Sequence, residues 1–296
     1  MKQHFLEAVE RGREYLRSKI SGGLCYEDFG LRHGPSVAWI MACVGSTFAE
    51  LGELRPDIAA ALHGLQHKSG GWSYNQQVPA DCDTTLRVLQ FLRKLGYDDK
   101  DVLQAAWNFV IRHQQPDGGF STFRSEATTA MGYSEAAGWT SSHPCVTALA
   151  VSELVASGAS KEAERTALSA LSDMIQNYGL SSYWWNTRFY MAYENGLCPN
   201  GAEALSIRND SIEIALALLT AIKLELYAPM LAEKLLAMQL PNGQFPPSRQ
   251  LLIPQPSMGM RTRNKEPKIA SDANGILSTC AAVVALKRHS EAWQLQ

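Results

Sequence analysis

The stretch Val78-Pro79-Ala80-Asp81-Cys82-Asp83-Thr84-Thr85 sets two carboxylates one residue apart, behind a proline and ahead of the apolar run from Leu86 to Leu95. Two acids at the mouth of a buried helix suit a group that donates a proton. One carboxyl has to stay protonated, and burial beside a second carboxylate raises a pKa in that direction. A helix start pulls the other way, because its dipole favours the ionised form. The same residues also suit an ordinary helix start, in which an aspartate accepts from the first backbone amides. Taken alone, so short a motif does not separate the two.

The surroundings of the motif are periodic. Gln66-x-x-x-Gly70-Gly71-Trp72 recurs as Gln114-x-x-x-Gly118-Gly119-Phe120 and as Gln239-x-x-x-Gly243-Gln244-Phe245. Each copy closes a helix-like segment: Ile58 to His67, Val102 to Gln114, and Met230 to Leu240. The glycines permit the left-handed backbone of a helix C-terminus, and the ring then packs the following turn. Degenerate copies are expected at Gly22-Gly23-Leu24-Cys25-Tyr26 and near Gln176 to Trp184. Repeats of this kind mean stacked supersecondary units.

A second series interleaves with the first. Helices opening on polar or small residues and running into apolar sequence are expected near Pro35-Ser36-Val37-Ala38-Trp39, Asp83-Thr84-Thr85-Leu86, His143-Pro144-Cys145-Val146-Thr147, Asp210-Ser211-Ile212-Glu213 and Asp272-Ala273-Asn274-Gly275. Their continuations, such as Ala148 to Val155, Ile214 to Ile222 and Ile276 to Leu286, carry few charges and read as buried all round. Leu103 to His113 and Ser160 to Gln176 are amphipathic and belong outside. No sustained period-two pattern marks a strand. The expected fold is all-α, a single α/α barrel of alternating inner and outer helices, with residues 1–296 as one domain.

Composition agrees with a globular unit. The chain has 296 residues, 46% hydrophobic and 19% charged, with a net charge of −2. That balance argues against an electrostatic nucleic-acid binder. The six cysteines, at 25, 43, 82, 145, 198 and 280, form no C-x-x-C and read as buried thiols of a reducing compartment. Met1 to Lys19 is a charged amphipathic helix rather than a signal peptide. The longest uncharged stretch, Pro35 to Ala49, is too short to span a bilayer. The chain is therefore expected in the cytoplasm, touching a membrane surface at most to collect a lipid.

The Gln-x-x-x-Gly-aromatic repeats resemble the QW repeats of squalene–hopene and oxidosqualene cyclases and of related class II terpene cyclases. Asp81-Cys82-Asp83-Thr84-Thr85 is similar to their D-x-D-D or D-x-D-T-T proton-donor motif. The resemblance runs from about residue 20 to 288, as far as the repeats do. It implies a cyclase that protonates a linear isoprenoid or isoprenoid-bearing substrate and needs no cofactor, with Mg²⁺ serving at most to bind a diphosphate. Carried over by position, it makes Asp83 the general acid and Asp81 the neighbour that keeps the proton there. Thr84 and Thr85 orient the carboxyls or cap the helix. His143, starting the next inner helix, is nominated to assist the acid, with a plain capping role ahead of Pro144 as the alternative. Tyr74 and Asn75 are weaker candidates for the same task.

Cyclisation also needs a dry pocket whose aromatic faces stabilise carbocations. Trp72, Phe120 and Phe245 belong to the repeat and read as packing groups. The segment Tyr183-Trp184-Trp185-Asn186-Thr187-Arg188-Phe189-Tyr190 crowds aromatics around an arginine outside any repeat slot. Trp184, Trp185, Arg188, Phe189 and Tyr190 are therefore set down as substrate-binding, with Trp139, Tyr74 and Thr84; ordinary core packing is the competing reading. Full-length cyclases of this family have two barrels, and this chain has length for one. Closure would fall to the proline-rich segment Pro246 to Lys268, with Arg249, Arg261, Arg263, Lys265 and Lys268, or to a homodimer contact or partner subunit. That segment reads equally as a solvated loop. Protein prenyltransferase subunits share the barrel, but their zinc set of Asp, Cys and His is not visible, and His143-Pro144-Cys145 is too tight to supply it. An isoprenoid-binding or scaffold barrel without catalysis stays open. A metal-dependent ionising synthase does not fit, since Asp98-Asp99-Lys100-Asp101 reads as a charged turn.

Overall fold

The computed structural model describes residues 2–19, 26–199, 207–263 and 268–292. In chain order its elements are α1 (Lys2–Ser18), β1 (Asp28–Leu31), β2 (Gly34–Ser36), α2 (Ala38–Glu50), α3 (Pro56–Gly64), β3 (Trp72–Ser73), β4 (Ala80–Asp81), α4 (Cys82–Leu95) and α5 (Lys100–Ile111). There follow α6 (Ser125–Ala130), α7 (Ala137–Thr140), α8 (Pro144–Ser157), α9 (Lys161–Tyr178), α10 (Phe189–Asn195), α11 (Ser211–Lys223), α12 (Pro229–Ala237), β5 (Leu251–Ile253), β6 (Lys268–Ala270) and α13 (Ile276–Ala292).

The apolar runs become the inner helices. Every residue of α11 from Ser211 to Thr220 is buried, and α8 is buried from Pro144 through Val151. A helix with no polar face has to be enclosed. α2 packs on α4, α4 on α8, α8 on α10, α10 on α11, α11 on α13, and α13 returns to α2. The ring is closed. Amphipathic helices lie outside it: α5 against α4, α9 against α8, α1 against α13, and α12 against α11 and α13. α10, a member of the ring, falls in the aromatic segment and was not among the expected inner helices.

The three Gln/Gly/aromatic turns share one hydrogen-bond pattern. Gln66 Nε2 donates to the Gly70 and Val102 carbonyls, Gln114 Nε2 to those of Gly118 and Ala163, and Gln239 Nε2 to those of Gly243 and Ala8. Each glutamine thus ties its own turn to another outer helix, at the helix start in the first two copies and further along α1 in the third. Gly70, Gly118 and Gly243 have φ of +95°, +85° and +87°, and a Cβ on each would overlap a carbonyl of that same helix. The ring amide then donates to a threonine of an inner helix: Trp72 N to Thr85 Oγ1 at 3.0 Å, Phe120 N to Thr147 Oγ1 at 2.9 Å, and Phe245 N to Thr279 Oγ1 at 3.0 Å. All three rings are fully buried, a removal of apolar surface worth roughly 1.5–3 kcal/mol each. The degenerate copies do not join this pattern. Gln176 is exposed and makes no such bond, and residues 22–25 lie outside the described residues.

Two expectations need correcting. The fold is mostly helical but carries, among the described residues, three two-stranded antiparallel ribbons, β1–β2, β3–β4 and β5–β6, each too short to show alternation in sequence. β3–β4 pairs Trp72 with Asp81 and Ser73 with Ala80, so a repeat ring and the acid motif share one ribbon. The segment from Pro246 is also not a solvated loop. Trp139 N donates to the Pro256 carbonyl and Trp139 Nε1 to that of Pro254, while Leu251 and Leu252 pair with the chain at residues 184–185. Of its basic residues, Arg249, Arg261 and Lys268 are exposed as the solvated reading expects, Arg263 is buried, and Lys265 lies outside the described residues.

Candidate active site

At one end of the helix ring a cleft of about 920 Å³, counted to its open mouth, is lined almost wholly by apolar atoms. α4 supplies Asp83 and Thr84 to it, and β4 supplies Asp81. Phe29 and Trp39 form one side, Trp184 and Trp185 another, and Leu251 to Ile253 the wall contributed by β5. No lysine or arginine stands among the described residues that line it. No group of three His, Cys, Asp or Glu side chains close enough to hold a metal occurs among the described residues.

Asp81 is locked in place. It is the N-cap of α4, and its Oδ1 accepts from Thr84 N at 2.7 Å while Oδ2 accepts from Tyr74 N at 3.1 Å. Its carbonyl accepts from the Thr85 hydroxyl. Burial drives its pKa from 3.8 up to about 7, against the pull of the Thr84 and Tyr74 amides and with a further push from Asp83. Capping and an elevated pKa therefore coexist in one side chain.

Asp83 differs from its neighbour. It lies on the first turn of α4, only partly enclosed, with its carboxyl toward the cleft and no hydrogen bond of standard geometry to any described residue. Burial raises its pKa, opposed by the Arg87 guanidinium and by the Trp39 indole N–H, with Glu194 adding a small push upward. Trp39 Nε1 is itself buried and has no hydrogen-bond partner of standard geometry among the described residues. A carboxyl in this position is encouraged to hold a proton and has no acceptor among the described residues competing for it.

The aromatic walls are continuous. Phe29 meets Trp39 edge-on at 6.0 Å, Trp39 meets Trp185 at 6.0 Å, and Trp139 meets Trp184 at 5.9 Å. Tyr133 and Phe123 pack on Trp139 at 5.2 and 5.6 Å. Phe29 holds a left-handed backbone (φ +50°), fixed by its amide on Asp28 Oδ1 at 2.9 Å and by its carbonyl accepting from Tyr74 Oη at 2.6 Å. Strained non-glycine backbone of this kind persists where the surroundings over-determine it.

The nominated residues divide into three groups. Asp81, Asp83, Thr84, Tyr74, Trp139, Trp184 and Trp185 all line the cleft. His143 is buried behind it. Its Nε2 lies 2.7 Å from the Gly138 carbonyl and so carries the proton, while Nδ1 accepts from the Thr122 hydroxyl at 2.8 Å. That hydroxyl in turn accepts from Trp184 Nε1 at 2.7 Å, and the His143 ring stacks on Tyr183 at 3.9 Å. Burial lowers the His143 pKa to about 4, so the ring is neutral and holds a cleft wall in place, with neither nitrogen free for Asp83. Phe189 and Tyr190 lie in the core, Tyr190 stacked behind Trp185 at 4.8 Å, and Arg188 lines a separate polar hollow with Arg263. Asn75 also lines the cleft, where it pins the β1–β2 hairpin by donating to the His33 and Pro35 carbonyls.

Several cleft residues were not nominated. Thr122 stands two residues after the repeat ring Phe120, as Tyr74 does after Trp72, so the repeat itself carried that signal. Leu251 to Ile253, Phe123, Met131 and Tyr133 follow no such period.

No protein-family profile matches the sequence, and no curated protein sequence matches it. Solved structures do. A protein from Actinoplanes superposes with a TM-score of 0.79 at 22% identity, covering 96% of this chain and 99% of that one. The type II terpene cyclase MstE from Scytonema, in a variant complexed with geranylgeranyl dihydroxybenzoate as substrate, gives 0.77 at 20% identity, covering 98% and 99%. The ent-copalyl diphosphate synthase from Streptomyces platensis gives 0.56 at 17% identity, covering 85% of this chain and 50% of that one. The chain therefore shares its overall fold with a type II terpene cyclase along nearly its whole length.

Proposed function

We propose that the chain catalyses protonation-initiated cyclisation of a linear isoprenoid, free or attached to a larger molecule, with Asp83 as general acid. The observation that carries the reading is a carboxyl with a raised pKa and no hydrogen-bonding acceptor, set in the floor of an apolar, aromatic-walled cleft. The helix ring with its outer layer is then an α/α barrel, complete in one chain. The fold is shared with MstE, whose solved structures hold a geranylgeranyl-bearing substrate and, in another variant, the product merosterolic acid A.

In this mechanism the Asp83 O–H bond breaks and its proton adds to the less substituted carbon of the terminal alkene. A tertiary carbocation remains, and the next double bond attacks it to close a ring. The faces of Trp39, Trp184 and Trp185 stabilise the cation, and the apolar walls keep water from capturing it early. Asp81 orients the motif through its two amide bonds and, where it is ionised, makes Asp83 harder to ionise. His143 acts at one remove, holding Thr122 and Trp184. No metal takes part in the proton step. Asp83→Asn keeps the shape and removes the acidic proton. With geranylgeranyl dihydroxybenzoate as probe it should lose at least about 10²–10⁴-fold in kcat while unfolding at the wild-type midpoint. EDTA should leave the wild-type rate unchanged. A wild-type rate in Asp83→Asn would refute the assignment.

A further inference from the structure

One helical turn beyond Asp83, on the same face of α4, stands Arg87. Its Nη2 donates to Glu194 Oε1 at 2.9 Å and to the Tyr190 hydroxyl, and its Nη1 donates to Gln90 Oε1 at 3.0 Å. Both acceptors across the ring come from α10. The Arg87 and Glu194 side chains are only 13% and 6% exposed, and Arg87 Nε is buried with no partner. An ion pair this enclosed is poor evidence for stability, because well-packed apolar residues often do as well. Its placement beside the acid calls for another account. An isolated guanidinium there would draw the proton off Asp83, and the ion pair contains its own remedy.

We propose that Glu194 is a positioning residue for the acid: its carboxylate neutralises Arg87 and so lets Asp83 keep its proton at neutral pH. This rests on the reading of Asp83 as general acid. Other groups face Asp83 from each neighbouring element. α2 brings Trp39 and Cys43, α8 brings Cys145, α10 brings Tyr190, and Asp81 stands beside it. Burial pushes the Cys43 thiol up to about 12 and raises Cys145 and Tyr190, so these three stay neutral. Among the groups just named, formal charge then comes from Asp81 when ionised and from the Arg87–Glu194 pair. Arg87 pulls the Asp83 pKa down and Glu194 pushes it up, the directions the proposal requires.

The test measures Asp83 directly, without turnover. The ¹³Cγ shift of Asp83, assigned with Asp83→Asn, is followed against pH in the ligand-free full chain. Glu194→Gln should lower the titration midpoint by about one pH unit, an approximately tenfold loss of the protonated form at neutral pH. Arg87→Gln should raise it, and the double variant should return it close to wild type. The falling limb of the pH–rate profile with geranylgeranyl dihydroxybenzoate should move with the midpoint. A midpoint unmoved by Glu194→Gln, or moved the same way by both single variants, overturns the proposal. If Glu194→Gln does not fold, Arg87→Gln alone decides through the sign of its shift. Midpoints that shift as expected in a protein that turns over no substrate would support the electrostatic role and sink the cyclase reading instead.

Discussion

Asp81→Asn separates two jobs that one side chain performs, because its effect on stability should change sign with pH. Asp81 accepts backbone amides with both oxygens, from Thr84 at 2.7 Å and from Tyr74 at 3.1 Å. An asparagine keeps one acceptor and turns an NH₂ toward the other amide. That leaves a buried N–H unpaired, at a cost of about 1–3 kcal/mol at any pH. Against this stands the cost of ionising a carboxyl that is only 3% exposed. Burial raises its pKa from 3.8 to about 7, so the folded chain binds the extra proton between those values. Stability from this group is present in full below about pH 4 and is lost as pH rises toward 7, by at most about 4 kcal/mol. Asparagine has no such loss. At pH 4 the variant should therefore be less stable than wild type, and at pH 8 equal to it or more stable. Urea unfolding of both proteins at the two pH values gives the comparison, and other titrating groups cancel in the difference. A deficit of the same size at both pH values would show that Asp81 is ionised throughout and that the argument from burial is wrong.

Two further outcomes follow from the scaffold. Gly70→Ala should cost about 1–3 kcal/mol for its φ of +95° and more for the overlap with the Ala105 carbonyl, whereas Gly52→Ala, at φ +80° in open space, should show the backbone cost alone. Calorimetry reads both, and equal losses would refute the close approach as the reason for glycine. His143→Phe keeps the stack on Tyr183 but orphans Thr122 and the Gly138 carbonyl, costing roughly 2–4 kcal/mol at neutral pH. Because burial lowers the His143 pKa to about 4, wild type loses stability as pH falls from about 6.5 toward 4, and the gap between the two proteins should narrow over that range.

The parts of the fold that were legible in sequence are those governed by local rules. α2, α4, α8, α11 and α13 announce themselves as polar or small starts that run into apolar sequence, and the three turns as Gln, Gly and a ring at fixed spacing. α10 was not legible because it is a seven-residue helix inside a segment where aromatics served equally for core or cleft. Tyr190 and Trp185 show the difficulty: they stack on each other, and only Trp185 reaches the cleft. The β5 wall was hidden for another reason. Its partners, Trp184 and Trp139, lie some 70 and 115 residues away, and no local pattern encodes that docking. Arg87 lies at i+4 from Asp83, a spacing visible in the sequence, yet the counter-charge that gives it meaning comes from α10.

The repeat also accounts for where the acid stands. The threonine that receives a ring amide is Thr85 in one copy, Thr147 in the next and Thr279 in the third. Thr85, the last residue of the motif, is therefore part of the scaffold, present in copies that hold no acid. Two residues before these threonines stand Asp83, Cys145 and Leu277; four before stand Asp81, His143 and Gly275. The slot that holds Asp83 opens on the cleft, while the slot that holds Cys145 is sealed at 2% exposure. A helix start would normally ionise a carboxyl placed on it, because its free amides and dipole favour the anion. Here Asp81 satisfies the Thr84 amide, and Asp83, two positions further along, accepts from none. The pairing of a capping aspartate with a second aspartate thus leaves Asp83, whose pKa burial raises, clear of the amides that would favour its anion, within three residues of one turn.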